Sequence, residues 1–95
     1  MRKYEIMFIV RPDMEEAEIA KTAESLKKVL EDGKANFVEE KNIGQRELAY
    51  EIKKFKTGYY YLFVVEATQE AVAEFDRVVR INENLLRHLI IKVED

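Results

Sequence analysis

Few side chains in this sequence have the types and spacing that chemistry requires. The single histidine, His88, lies in a run of strand-forming residues, and the chain has no cysteine. One imidazole without thiolates or clustered carboxylates falls short of a zinc site, which takes four ligands, so His88 reads as a strand residue that packs or touches a partner. Ser25 sits in the middle of a helical pattern, far from any turn that would serve as a nucleophile elbow. Glu39 and Glu40 are adjacent strand residues. Their side chains point to opposite faces and cannot converge on one substrate as an acid/base pair. They read instead as charges on an edge strand, where they discourage stray pairing. By this site logic the chain is not an enzyme and has no metal and no cofactor.

What remains is binding chemistry. Lys53-Lys54-Phe55-Lys56, followed by Tyr59-Tyr60-Tyr61, sets ammonium groups beside aromatic rings. Lysines neutralise phosphates, and tyrosine rings stack on bases. The segment is similar only in part to the RNP motif of RNA-recognition domains. Thr57 stands where a basic residue should precede the Gly, and Tyr60 stands where Gly or Ala is expected. The segment thus points to RNA contact more than to an RNA-recognition domain. Arg2 and Lys3, with Arg87 and Lys92, form a second candidate basic zone on two strands expected to be neighbours. Glu5 and Glu94 dilute it, and ordinary surface charge is the plain alternative.

These residues sit on a chain of 95 residues, long enough for one domain spanning residues 1–95. Apolar residues make up 47% and charged residues 37%, which argues for a folded core and against disorder. The absence of cysteine fits a reducing cytosol, no apolar run approaches a membrane span, and the chain opens directly on a strand pattern. The expectation is a soluble cytoplasmic protein. The net charge of −3 speaks against nucleic-acid binding if taken alone. Its distribution is uneven: residues 13–32 carry seven acids against three bases, whereas residues 1–12 sum to +2 and residues 53–58 to +3. Any RNA contact must therefore be local.

The positioning elements follow from periodicity. Residues 3–10 alternate as a strand, with Tyr4, Ile6, Phe8 and Val10 on one face. Asp13 and Glu16 have the spacing of a capping box, and Ile19, Ala23, Leu26 and Leu30 form a helical stripe ended by Asp32-Gly33, with Gly33 as a left-handed cap. A long strand region covers residues 35–53, with a bulge or bend expected at Gly44. A turn is expected over residues 54–58 and a third strand over residues 59–66. Thr68 caps a second helix whose stripe is Val72, Phe75 and Val79. A turn at residues 82–84 leads to a fourth strand at residues 85–93.

The order is βαββαβ, an α+β ferredoxin-like arrangement: a four-stranded antiparallel sheet with two helices on one face. In it the first and third strands are central. If Ile6, Phe8, Tyr61, Phe63 and Val65 face the helices, then Met7, Ile9, Tyr60, Leu62 and Val64 face the other way. That leaves an apolar surface with no helix over it, where a two-layer domain usually shows polar residues. Such a patch marks a binding surface for a partner, or for a second copy of the chain.

Three stretches carry a resemblance to a known family. They are Arg2-Lys3-Tyr4-Glu5-Ile6 with Pro12 beyond it; Ile43-Gly44-Gln45-Arg46-Glu47-Leu48-Ala49-Tyr50-Glu51-Ile52-Lys53 followed by Gly58-Tyr59-Tyr60; and Arg80-Ile81 leading to Asn84-Leu85-Leu86-Arg87-His88-Leu89. Over essentially its whole length the chain resembles the bacterial ribosomal small-subunit protein six family, whose signature is Leu-Gly-x-Arg-x-Leu-Ala-Tyr-x-Ile. Ile43 replaces the first Leu, and the acidic or flexible C-terminal tail of some members is missing. The resemblance implies the same fold and a ribosomal, cytoplasmic location. It also implies binding to the central platform domain of small-subunit ribosomal RNA, paired with small-subunit ribosomal protein eighteen. Carried onto this chain, the RNA-contact candidates are Arg2, Lys3, Tyr4, Arg87 and Lys92, with Lys54 and Lys56 added from the turn. The protein-partner candidates are Ile43, Arg46, Leu48, Tyr50 and Tyr60. Rival readings are a stand-alone domain that binds single-stranded RNA, and a small α+β enzyme or ligand sensor of like topology.

Overall fold

Alternation makes β1 (Arg2–Val10) a strand with two unlike faces, and the rest of the fold is built around it. It is followed by α1 (Glu16–Asp32), β2 (Asn36–Ile52), β3 (Phe55–Ala67), α2 (Gln69–Ile81) and β4 (Leu85–Val93). The structure, a computed structural model, describes residues 1–93. The four strands form one antiparallel sheet in the order β2-β3-β1-β4, the ferredoxin-like βαββαβ arrangement expected from the sequence. β1 and β3 are central, with Ile6 opposite Phe63 on one side and Ile90 on the other.

Both helices pack on the face that carries Tyr4, Ile6, Phe8 and Val10. Ile19, Ala23, Leu26 and Leu30 of α1 are all buried there, as are Ala71, Phe75 and Val79 of α2. Val72, expected in the second stripe, is only half-buried. Aromatic packing anchors this core: Phe8 stacks on Tyr61 at 5.3 Å and meets Phe63 edge-on at 5.2 Å between ring centroids. Thr68 caps α2 as expected, its Oγ1 accepting from the Ala71 amide at 3.1 Å.

Three local expectations are corrected. The helix cap at Asp13 does not form: α1 begins later, after Glu15, with no side-chain cap, and the Asp13 carboxylate is instead held by Arg11, each of its oxygens at 2.9 Å. Gly33 ends α1 but is not left-handed (φ −83°), and Lys34 takes that conformation instead (φ +66°). Glycine is needed at position 33 for space, since a Cβ there would lie 2.7 Å from the Cβ of Ala71. Finally, the β2–β3 turn is Lys53-Lys54, not residues 54–58. Ile52 pairs directly with Phe55, so β3 starts four residues earlier than the pattern predicts. The bulge at Gly44 is present, with φ +92° and a register shift between Asn42 and Gly44.

Candidate binding faces of the sheet

The helix-free face is apolar along both central strands, as its alternation requires. Ile9 and Val64 are only 5% and 6% exposed although no helix covers them. The burial of Ile9 has a local cause at the hairpin end. β3 pairs with β1 only from Tyr59 onward, so residues 55–58 and their β2 partners overhang the sheet. Right-handed twist coils such an overhang across the face. Gly58 permits the closest approach: a Cβ there would stand 2.3 Å from Ile9 Cγ2. Farther along the face, Leu89 and Ile91 of β4 stay exposed at 45% and 47%.

The coiled hairpin closes a groove of about 190 Å³ lined by Met7, Ile9, Leu48, Tyr50, Ile52, Tyr60, Arg87 and Leu89, with Ala49 and His88 at its margin. Tyr50 lies on β2 and Arg87 on β4, the two opposite edges of the sheet. Nevertheless Arg87 donates a hydrogen bond from Nη1 to the Tyr50 hydroxyl, and its guanidinium lies 5.7 Å from the centroid of that ring. Among the described residues no carboxylate pairs with Arg87. The groove therefore offers an apolar floor with a single guanidinium at its rim, suited to an apolar anchor beside an acceptor.

Of the partner candidates, Leu48, Tyr50 and Tyr60 converge in this groove. Arg46 lies on the same face opposite Gly58, exposed, and donates to the carbonyl of Gln45 at 2.9 Å. Ile43 sits half-buried at the bulge and does not line the groove. Of the RNA candidates, Arg87 belongs to the groove. It is separated from Lys3 by six residues of strand pairing, about 20 Å. Tyr4 is buried, its ring part of the core. Arg2, Lys3 and Lys92 cluster at the far end of β1 and β4, where Tyr4 pairs with Lys92. Alternation puts Arg2 and Lys92 on the helix side and Lys3 on the open side. The expected single basic zone is thus split in two, and Glu94, its diluting acid, lies outside the described residues. Lys54 occupies the hairpin tip and Lys56 the exposed start of β3. Sequence reasoning did not place Leu89 and Ile52 at this site. Each follows a site residue by two positions on the same strand (Arg87 and Tyr50), and that spacing was the available signal.

His88, Asp76, Arg80 and Glu40 tie the sheet to the helices or brace them. His88 turns to the helix side, its Nε2 lying 2.9 Å from Asp76 Oδ1 of α2, while Arg80 donates to Asp76 Oδ2 at 2.8 Å. The His88 hydrogen bond, helped by Arg80 against the opposing effect of burial, holds the Asp76 carboxyl below its ordinary range. A depressed folded-state value means stability that is present above the unfolded carboxylate pKa and lost as pH falls through the folded one. Asp76→Asn is therefore expected to lower stability by about 1 kcal/mol at neutral pH. Urea melts of the two proteins should converge only once the pH has fallen through the lowered folded-state value of that carboxyl, and an equal gap at acid and neutral pH would contradict this assignment. Glu40 reaches α1 through Lys27 at 3.0 Å, whereas Glu39 pairs with Lys41 at 3.1 Å; the two carboxylates do not share a site.

Comparison with known proteins agrees with this geometry. The family described as Ribosomal protein S6 matches residues 3–92. The chain is 46% identical to the small ribosomal subunit protein bS6 of Shouchella clausii over 94 residues, covering 99% of each chain. It is also 46% identical to the bS6 of Halalkalibacterium halodurans over 95 residues, covering both chains completely. The crystal structure of 30S ribosomal protein S6 from Thermotoga maritima superposes with a TM-score of 0.92 at 30% identity, covering 97% of this chain and 87% of that one. A ferredoxin-like sheet with these relatives defines a structural protein of the small ribosomal subunit, located in the ribosome and not an enzyme. Within that class, the chain belongs to the ribosomal protein S6 family.

Proposed function

We propose that the chain binds the central platform domain of small-subunit ribosomal RNA as a pair with small-subunit ribosomal protein eighteen. The observation that carries the reading is the groove on the helix-free face. Leu48, Tyr50, Tyr60 and Ile9 build an apolar site there that the chain's own helices leave open. A partner seated on this face buries the exposed Leu89 as well, and a basic partner supplies phosphate neutralisation that a chain of net charge −3 lacks. Arg46 and Arg87 border the apolar surface, with Ile43 beside it at the bulge. Arg2, Lys3 and Lys92, at the opposite end of the sheet, are then the direct phosphate contacts, and Lys54 and Lys56 add to them from the hairpin.

The test mixes the purified chain with a platform RNA fragment, with and without protein eighteen. Tight binding only when both proteins are present is the expected result. Equal binding by the chain alone would favour a stand-alone RNA-binding domain, and no binding by the pair would overturn the reading. Replacing Arg2 and Lys92 together by Ala should reduce the slope of log K against log salt for the pair by about 1.4–1.8, near 0.7–0.9 per phosphate neutralised. An unchanged slope would remove both residues from the RNA surface.

A further inference from the structure

The groove wall belongs to a part of the sheet that backbone pairing holds only on one side. Leu48, Tyr50 and Ile52 reach the groove from the β2 arm of the hairpin, beyond the point where β3 stops pairing with β1. A two-stranded ribbon standing alone is marginally stable, and its twist varies widely. Twist gives the overhang its sense of coiling and leaves its position to side chains. On the open face one contact fixes it: Tyr50 meets Arg87 across the width of the sheet. A second contact lies outside the groove. The Arg11 guanidinium stands over the Phe55 ring, 5.4 Å from its centroid, and alternation along β3 sets Phe55 on the side of Tyr59 and Tyr61, away from Tyr60. Arg11 is itself fixed twice. Its amide donates to the Asn84 carbonyl at 2.9 Å, which ties it to the α2–β4 turn. Its Nε and Nη2 donate to the two oxygens of Asp13, each at 2.9 Å, and this fork sets the plane of the guanidinium. None of Arg11, Asp13 and Phe55 lines the groove.

We propose that Arg11 is a positioning residue for the partner groove: held by Asp13, it backs the hairpin through Phe55 and so sets where Leu48, Tyr50 and Ile52 stand. The inference rests on the protein-partner reading above and deepens it, giving a role in that binding to residues outside the face the partner covers. An exposed ion pair such as Arg11–Asp13 contributes little to folding by itself, and a guanidinium over a half-buried ring adds modestly. Their joint effect is on the freedom of the hairpin. A wall already in place binds its partner without a further ordering cost, whereas a wall that swings must be ordered as the partner arrives. Lysine in place of Arg11 would not suffice, because a point charge has neither the two-pronged fork nor a flat face to lay on the ring.

The experiment uses the full chain with Arg11→Lys, Phe55→Leu and the two together, and with Asp13→Asn as a variant that leaves both packing partners in place. Protein eighteen is titrated into each by calorimetry, and urea melts record stability. Nuclear Overhauser contacts between the Tyr50 ring and the Arg87 side chain report the position of the hairpin in the free chain. Arg11→Lys and Phe55→Leu should each weaken binding about fivefold. The double variant should also lose about fivefold rather than about 25-fold, because the two residues act as one support. Asp13→Asn should weaken binding about twofold. The Tyr50–Arg87 contacts should fade in all four variants, with urea midpoints near the wild-type value. Undiminished affinity in either single variant overturns the proposal. So do losses that multiply, since each residue would then touch the partner independently, and so do Tyr50–Arg87 contacts of full strength. A urea midpoint that falls in step with the affinity also overturns it, by making Arg11 a residue of general stability. A wild-type chain that fails to bind protein eighteen removes the pairing reading instead; the Tyr50–Arg87 contacts of the free variants then still decide whether Arg11 holds the hairpin.

Discussion

Phe8→Ala is expected to destabilise the domain by about 3–5 kcal/mol, the largest effect of any change considered. Phe8 is fully buried at the centre of β1, between the stacked ring of Tyr61 and the edge-on ring of Phe63. Its removal loses apolar transfer energy and both aromatic contacts. The cavity it leaves is bounded by a sheet on one side and helices on the other, so neither layer collapses freely into it. A domain of this size is stable by about 5–15 kcal/mol. The loss would therefore leave a weakly folded protein, with its urea midpoint lowered in proportion. A midpoint shift equivalent to less than about 1 kcal/mol would mean that Phe8 is not the keystone of the core.

Leu62→Lys should do the reverse, leaving the fold nearly intact and disabling assembly. Leu62 is half-buried on the open face, opposite Met7 of β1 and Lys41 of β2. A lysine there lays its methylene stem along the same neighbours and sends the ammonium into water, so folding should lose about 1 kcal/mol or less. With a partner seated on the face, that ammonium would be buried without a counter-charge. Affinity for protein eighteen should then fall by about 2 kcal/mol or more, some 30-fold. Calorimetric titration of protein eighteen into wild type and variant, with urea melts of both, separates the two effects. Undisturbed binding by a folded variant would show that the partner does not use this part of the sheet.

Both expectations rest on a division of β1 and β3 into two faces that could be read from the order of residues. Ile6 and Phe8 against Met7 and Ile9, and Tyr61 and Phe63 against Tyr60 and Leu62, are period-two patterns, and each fell on the side its parity assigns. The helix stripes from Ile19 to Leu30, the cap at Thr68 and the bulge at Gly44 were legible for the same reason: each depends on residues within a few positions of one another. Parity also held information that the grouping of basic residues passed over. Arg87 and Lys92 are five apart on one strand, and an odd separation puts them on opposite faces of the sheet. The capping box at Asp13 did not form: the helix starts only after Glu15, and the Asp13 carboxylate pairs with an equally local partner, Arg11.

By itself, then, the sequence determined the element order, the two central strands, the buried core and the existence of an apolar open face, since all of these follow from short-range periodicity. Only the tertiary structure decided that this face is folded into a groove at one end and left flat at the other. Tyr50 and Arg87 are 37 residues apart and lie on opposite edges of the sheet, yet they meet. Their meeting depends on how far the β2–β3 hairpin overhangs β1 and on the twist accumulated along it. Overhang and twist are sums over many pairings, which no local pattern of side chains encodes.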